Sequence, residues 1–369
     1  MEKIPVRTAG GGYEVHVGRD ILASVLPSLL RRLAPRRVAV VSHPEIMELH
    51  GERLRGILRE AVPGEEATAF FLFPAGEEEK NLGTLERGYR ALLKADITRE
   101  DVLLAFGGGV VGDLAGFLAA TYLRGIRYLQ VPTTLMAMVD SSIGGKVGVD
   151  MPEGKNLVGA FHQPAAVLAD VALLATLPGR ELRSGLAEVA KYGFLYEEAI
   201  LAEMEGWREG IPGEDYDFSS LVAACAAHKA RVVSADERDL SGERALLNYG
   251  HTFGHALEAA TSYRALRHGE AVALGMIMAS RLAELAGMAR VNLMERHLQV
   301  LSPLLGEARL PRDLAADHVL AHMQRDKKKG EALRFVLLEE WQVPVLVDSP
   351  PRGLVERAVE EVLGETAPA

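Results

Sequence analysis

The pattern of apolar and polar positions changes its period once along the chain. The first part mixes two periods. Tyr13-Glu14-Val15-His16-Val17 alternates with period two, as a half-buried strand does, and Ile21–Leu33 repeats at helical spacing. Arg37-Val38-Ala39-Val40-Val41-Ser42 is a short apolar run ending in a polar residue, the signature of a buried strand. The same alternation continues with a helix over Ile46–Glu60, a strand over Ala67–Phe73, a helix over Asn81–Lys94 and a strand over Asp101–Phe106 that runs into three glycines. A helix over Leu114–Thr121 follows, and Arg124–Thr134 carries a further strand into a polar loop. Strand and helix in alternation predict a parallel sheet with helices on both faces. After residue 172 strand-like runs become rare. Helical patterns cover Arg180–Glu205, Phe218–Val233, His251–Thr261, Gly269–Gly287, Asn292–Leu301 and Leu354–Leu363, and Ala332–Leu338 alone still reads as strand. The pattern therefore predicts an α/β domain over residues 1–172 and an all-α domain over residues 173–369, joined near Leu174–Gly179.

Composition narrows the class. The chain has 369 residues, is 48% hydrophobic and 25% charged, and carries a formal charge of −10 at pH 7. That balance fits a two-domain globular enzyme. It leaves no basic stripe to neutralise phosphates, so nucleic acid is not an expected partner. The single cysteine, Cys225, excludes an intramolecular disulfide and a thiolate metal cluster. Apolar runs are broken by Gly, Pro or charge before they reach the length of a bilayer, and the start shows no apolar segment after its first charges. A cytoplasmic protein without a membrane partner is expected.

The candidate chemistry of the first domain begins at Gly107-Gly108-Gly109-Val110-Val111-Gly112-Asp113. This is a G-x-G-x-x-G match between a buried strand and a helix, where glycines let the backbone approach a pyrophosphate and helix amides face it. The competing reading is a tight strand–helix turn with no ligand. Asp113 is expected in the first helical turn. The loop Pro74–Asn81, with Glu77 and Lys80, follows a strand at its carboxyl end, where nucleotide contacts gather in open α/β sheets, although a solvated charged turn would look the same. Asp140-Ser141-Ser142-Ile143-Gly144-Gly145-Lys146 and Gly154-Lys155-Asn156 set ionic and amide groups among glycines and hydroxyls, an array suited to a polyhydroxylated, phosphorylated substrate.

The second domain offers metal donors. Three of the 11 histidines, His251, His255 and His268, fall within an 18-residue stretch. His251 and His255 are four apart and share a helical face, which makes them a first candidate pair for zinc. No Glu follows His251, so the zincin pattern is absent. Glu188 and Lys191 share a face of a helix rich in small apolar residues. A surface ion pair is the plain reading; an inward Glu188 would be a third ligand.

Several motifs now stand in one order: RGIRYLQVPTTLMAMVDSSIGGKVGV, SGLAEVAKYG, KARVV…DERDLSGERALLNYGHTFGHALE and DKKKG…FVLL. In register from about residue 70 to residue 340, they resemble the 3-dehydroquinate synthases, a branch of the sugar-phosphate cyclases. The resemblance implies a Rossmann-like NAD domain, a helical zinc domain and a homodimer. It implies conversion of 3-deoxy-D-arabino-heptulosonate 7-phosphate, a phosphorylated sugar acid, to 3-dehydroquinate and phosphate, with NAD taking and returning a hydride. Carried over by residue, zinc (or Co2+) falls to Glu188, His251 and His268. NAD falls to Glu77 and Lys80, to Gly109, Val110, Val111, Gly112 and Asp113, to Thr133 and Thr134, to Lys146 and Lys155, and to Leu173 and Thr176. Substrate contacts with a catalytic part fall to Asp140, Lys146, Lys191, Lys229, Arg244 and His255. Further substrate contacts fall to Asn156 and Asn248, to Lys327 or Lys328 of the DKKKG run, and to Arg124, whose family counterpart reaches the phosphate from the other subunit. His255 thus moves from the metal to the substrate phosphate. Another sugar-phosphate cyclase and a metal-dependent polyol dehydrogenase of the same fold stay as alternatives.

Overall fold

A computed structural model describes every residue except 65, 208–209, 214, 307, 309, 312–313, 328–332 and 367–369. By internal packing the chain forms two compact units, Met1–Leu177 with Glu214–Arg238 and Pro178–Gly213 with Asp239–Ala369. The first unit contains β1 (Glu2–Thr8), β2 (Gly11–Gly18), α1 (Leu22–Leu33), β3 (Val38–Ser42), α2 (Pro44–Ala61), β4 (Thr68–Leu72), α3 (Leu82–Lys94), β5 (Val102–Gly107), α4 (Gly109–Thr121), β6 (Arg127–Pro132), β7 (Lys146–Met151), β8 (Gly154–Phe161) and β9 (Ala166–Asp170). The chain then supplies α5 (Gly179–Leu195) and α6 (Glu198–Glu205) to the second unit, and returns to the first with α7 (Ser219–Ala235).

Seven strands form one sheet in the order β1-β2-β9-β6-β5-β3-β4. Its neighbours run parallel apart from the antiparallel pair β1–β2 at one edge. Both faces are covered. Ala39, Val41, Leu103 and Ala105 join a core with Leu85, Leu114 and Leu118. The intervening Val38, Val40 and Leu104 are equally buried on the other face. That double burial is why β3 and β5 read as continuous apolar runs. Asp170, the last residue of β9, accepts hydrogen bonds from the amides of Asp20 (2.7 Å) and Leu22 (2.9 Å) and so terminates α1 from a distant strand.

Four strands of this unit, β1 and β7 to β9, lack a clear sequence signal. β1 buries only Ile4 and Val6 and contains a proline. β7 and β8 form a separate antiparallel pair, and β8 keeps much of its surface exposed. The sequence reading also left α7 with the helical part. It packs on β1 and β2 instead, with Ser234 Oγ accepting from the Arg7 amide at 2.9 Å.

The second unit adds α8 (His251–Ala260), α9 (His268–Leu285), α10 (Leu293–Leu305), α11 (Ala316–Lys327), β10 (Arg334–Glu340), β11 (Val343–Asp348) and α12 (Arg352–Thr366). It is helical, as expected, with one antiparallel pair, β10–β11, where the sequence showed a single strand. The long helical pattern after Arg180 is broken at Tyr196 and Glu197, whose backbones leave the helical region. Nearly all of α9 is buried, because α5, α8, α10, α12 and β10 pack around it. Two of these crossings are backbone on backbone. A Cβ on Gly275 would lie 2.0 Å from the Gly250 carbonyl oxygen, and one on Gly269 would lie 1.9 Å from that of Ser184.

His297 of α10 shows how this core treats a polar ring. It stacks on Phe194 at 3.8 Å between centroids, its Nδ1–H donates to Leu293 O at 2.8 Å, and Nε2 accepts from the Tyr249 hydroxyl at 2.7 Å. Burial pushes its pKa down to about 3, so the ring is neutral in the folded protein.

Two outcomes are expected. Gly269→Ala should cost at least about 2 kcal/mol, because the neighbour is backbone and cannot move aside. Gly364→Ala, with nothing within 4 Å of the new Cβ, should be neutral or stabilising by up to about 1 kcal/mol. Urea unfolding read by Trp207 and Trp341, both in the second unit, distinguishes the two. For His297, the folded pKa lies below the unfolded value of 6.5, so the unfolded chain binds the proton first as pH falls. Stability should therefore be full above pH 6.5 and decline toward pH 3. His297→Gln should flatten that decline between about pH 6.5 and 5 by up to about 1.4 kcal/mol per pH unit. An unchanged slope in the variant would refute the neutral assignment.

Candidate metal centre and phosphate cradle

Glu188 sits in the middle of α5, flanked by Ala187 and Val189, and faces inward with 1% exposure. His251 and His268 are the first residues of α8 and α9. The Gly269 amide donates to Ser184 Oγ at 3.0 Å, which ties the start of α9 to α5 one turn before Glu188. Among the described residues, Glu188, His251 and His268 form a group whose donor atoms lie within 4.8 Å of one another. Nε2 of His251 is 3.6 Å from Glu188 Oε1, and Nε2 of His268 is 3.8 Å from the same oxygen.

The other ring nitrogens explain that orientation. Nδ1 of His251 donates to Tyr249 O at 3.1 Å, and Nδ1 of His268 lies 3.3 Å from Glu258 Oε2. With the proton on Nδ1, each ring presents the lone pair of Nε2 to Glu188. Both Glu188 carboxylate oxygens are buried without a hydrogen bond of good geometry, although the Lys191 ammonium lies against Oε2. Donors about 2.1 Å from a shared tetrahedral ion are roughly 3.4 Å apart, so the two histidines and the carboxylate fit a divalent cation such as zinc. Burial, aided by the charges of Lys191, His268 and His255, pushes His251 well below the usual imidazole pKa. Burial alone would lower His268 too, but the hydrogen bond and charge of Glu258, with Glu188, outweigh it and raise that ring above its ordinary value. The lowered value suits His251 as a metal ligand, which must be neutral.

His255, the partner first paired with His251 on helical spacing, is exposed on α8 and joins an overlapping group with Glu258 and His268. Asn248 is exposed and Arg244 is buried in the 3-10 turn before α8. Lys327 closes α11, while its side chain and the whole of Lys328 lie outside the described residues. Sequence reasoning overlooked Glu258, although it stands seven positions after His251 and therefore on the same helical face.

In the first unit the glycine-rich turn follows β5 directly, and α4 begins at Gly109. The amides of Gly109, Val110 and Val111 belong to the first helical turn, where no preceding carbonyl takes them. Asp113 is not in that turn, as was expected, but one residue further in, because the helix starts at Gly109. It pairs with Lys80 at 2.8 Å. Lys80 also donates to Asn156 Oδ1 at 2.6 Å, and its carbonyl accepts the Asp150 amide. Burial opposes the charge on Lys80, but Asp113 and Glu77 outweigh it and hold its pKa above the ordinary lysine value. Lys155 lies 3.8 Å from Glu77.

The chain arrives at β4, then returns to β5 on the other side of β3, so the carboxyl ends of β3 and β5 flank the point where the winding reverses. The Thr133 amide donates to Gly107 O at 3.0 Å, and a Cβ on Gly108 would lie 3.0 Å from Thr134 Cγ2. Thr176 Oγ1 is 2.8 Å from His50 Nε2, and Leu173 is buried in the same 3-10 turn. Asp140 lies in a π-helical turn, Ala137–Ser141, and accepts from Lys229 of α7 at 2.7 Å. Lys146 begins β7 and is exposed. Arg124 precedes β6 in a left-handed exposed turn, at the strand end opposite Thr133 and Thr134.

The model of the 3-dehydroquinate synthase N-terminal region matches residues 70–184, and that of the C-terminal region matches residues 185–329. The chain belongs to the 3-dehydroquinate synthase family. A curated 3-dehydroquinate synthase of Halorhodospira halophila is 43% identical over 360 residues, spanning 95% of this chain and 97% of that one. One from a Synechococcus species is 46% identical over 348 residues, 91% of both chains. Among solved structures, a 2-epi-5-epi-valiolone synthase from Streptomyces hygroscopicus, holding NAD+ and Zn2+, aligns with TM-score 0.82 at 27% identity over 96% of this chain and 97% of that one. This chain and that cyclase thus share one fold along nearly their whole lengths. Among the described residues, no helix is long and apolar enough to cross a membrane.

Proposed function

We propose that this chain is a 3-dehydroquinate synthase, converting 3-deoxy-D-arabino-heptulosonate 7-phosphate to 3-dehydroquinate and inorganic phosphate. The observation that carries the reading is the group formed by buried Glu188, with its unbonded carboxylate oxygens, and the half-buried His251 and His268, in a chain 43% identical to a curated enzyme of that name across nearly its full length.

Substrate and products contain the same atoms, so no net oxidation occurs and the dinucleotide must be regenerated in each turnover. NAD, bound at the glycine-rich turn, supplies a reversible hydride acceptor. A divalent ion held by Glu188, His251 and His268 supplies Lewis-acid polarisation of a substrate hydroxyl. The chain's own groups hold the substrate and its charge. On the dinucleotide side these are the amides of Gly109, Val110 and Val111, with Gly112, Asp113, Glu77 and Lys80, then Thr133 and Thr134, Lys146 and Lys155, and Leu173 and Thr176. The amides face the pyrophosphate, and the Lys80–Asp113–Asn156 contacts keep the loop after β4 in place. Asp140 holds the Lys229 ammonium in one direction, so Lys229 donates to a substrate oxygen without a search over rotamers. Lys146, Arg244 and Lys327 or Lys328 neutralise the carboxylate and phosphate, and Asn248 and His255 hydrogen-bond to them. Lys191, against Glu188, moderates the negative charge of the donor group.

The enzyme acts as a homodimer in the cytoplasm in this reading. Arg124 stands at the end of β6 remote from Thr133, which supports its reaching the substrate phosphate of a partner subunit.

With zinc and substoichiometric NAD, the chain should release phosphate and 3-dehydroquinate over many turnovers per NAD, with no accumulating NADH. NADH growing in proportion to turnover would make it a polyol dehydrogenase. Turnover of sedoheptulose 7-phosphate in place of the heptulosonate would make it a different cyclase. His268→Ala should lose tightly bound metal and activity together; retention of the metal would overturn the ligand assignment. Lys146→Ala should raise KM and cut turnover, roughly 10- to 100-fold in kcat/KM, with the fold intact.

A further inference from the structure

Glu258 lies two helical turns after His251 on α8 and is 4% exposed. Buried carboxylates are costly unless a charge or donor compensates them. Its Oε2 is 3.3 Å from Nδ1 of His268, the ring whose Nε2 is turned toward Glu188. The same contact admits two roles, since Glu258 also belongs to the overlapping donor group with His255 and His268. The geometry separates them. Nε2 of His251 and Nε2 of His268 converge on one Glu188 oxygen, at 3.6 Å and 3.8 Å, and it is the Glu188 carboxylate that has no hydrogen bond. A ring protonated on Nδ1 has only Nε2 to offer a metal. His251 follows the same plan, with Nδ1 tied to the Tyr249 carbonyl.

We propose that Glu258 is a positioning residue for the metal centre: it accepts the Nδ1 proton of His268, locks the tautomer that aims Nε2 at the ion, and strengthens that nitrogen as a donor. It is not itself a ligand. The inference rests on the reading of Glu188, His251 and His268 as ligands. A carboxylate behind a ligating histidine is a recurrent outer-sphere device whose loss weakens metal binding roughly 10- to 100-fold.

The test uses the full-length protein reconstituted with Co2+, with affinity read by chelator competition and coordination read by the visible absorption of the ion. Glu258→Gln keeps an oxygen acceptor for Nδ1 but loses the charge, and should bind Co2+ about 10-fold more weakly. Glu258→Ala loses both and should approach 100-fold. In each the absorption band should keep its position and intensity at saturation, because the ligands are unchanged. Unchanged affinity in Glu258→Gln would overturn the proposal, and so would a shifted band, which would make Glu258 a ligand. If Glu258→Ala fails to fold, the near-isosteric Gln variant decides. Should the unsubstituted protein take up no Co2+, the ligand assignment falls and the proposal with it. Normal uptake that is indifferent to residue 258 removes the proposal alone.

Discussion

A carboxylate buried at 1% exposure, with neither oxygen hydrogen-bonded, is the constraint on which the second unit turns. Such a group is destabilising unless positive charge sits beside it. The structure provides Lys191 on the same helix and two imidazole nitrogens from two other helices, an arrangement that a dication completes. Three helices must therefore meet around one side chain. Their backbones approach closely enough that α9 has glycine at both crossings, Gly269 over Ser184 and Gly275 over Gly250. The glycine positions and the metal donors are two aspects of one requirement, since His268 is the neighbour of Gly269.

The first unit answers the opposite electrostatic problem. Its ligand is expected to be an anion, and its site is built from free helix-terminal amides and a buried cation. The glycine turn exposes the amides of α4, and Thr133 and Thr134 line its other side. Lys80 is buried yet charged because Asp113 lies at 2.8 Å, and its bond to Asn156 couples the loop after β4 to the hairpin β7–β8. A basic side chain serves here as a brace, so its worth depends on the partners that surround it.

Histidine shows how far environment decides chemistry. His297 is held neutral between Phe194 and the Tyr249 hydroxyl. His251 is driven low by burial and by neighbouring cations, whereas His268, a few ångströms away, is held high by Glu258. His255 remains at the surface of the same helix that carries His251. One residue type thus serves as packing, candidate metal donor and surface group within a single unit.

Periodicity alone determined much of the architecture. The runs around Val38–Val41 and Val102–Phe106 are apolar on both faces because the strands are buried on both faces. The ordered motifs determined the family, and with it Glu188 and His268, which no local spacing joins to His251. The tertiary structure decided what depends on contacts distant in sequence. It assigned α7 to the first unit, because the β1–β2 pair at the sheet edge needs a cover that periodicity cannot name. It turned Glu188 inward, where a surface ion pair was the plain reading of the same four residues. It set His255 outside the Glu188–His251–His268 group and into an overlapping one with Glu258 and His268, despite its helical spacing from His251, since spacing fixes a face but not what that face meets. Glu258 was visible in the sequence and silent there, because a carboxylate acquires a role only when folding sets it against a particular nitrogen.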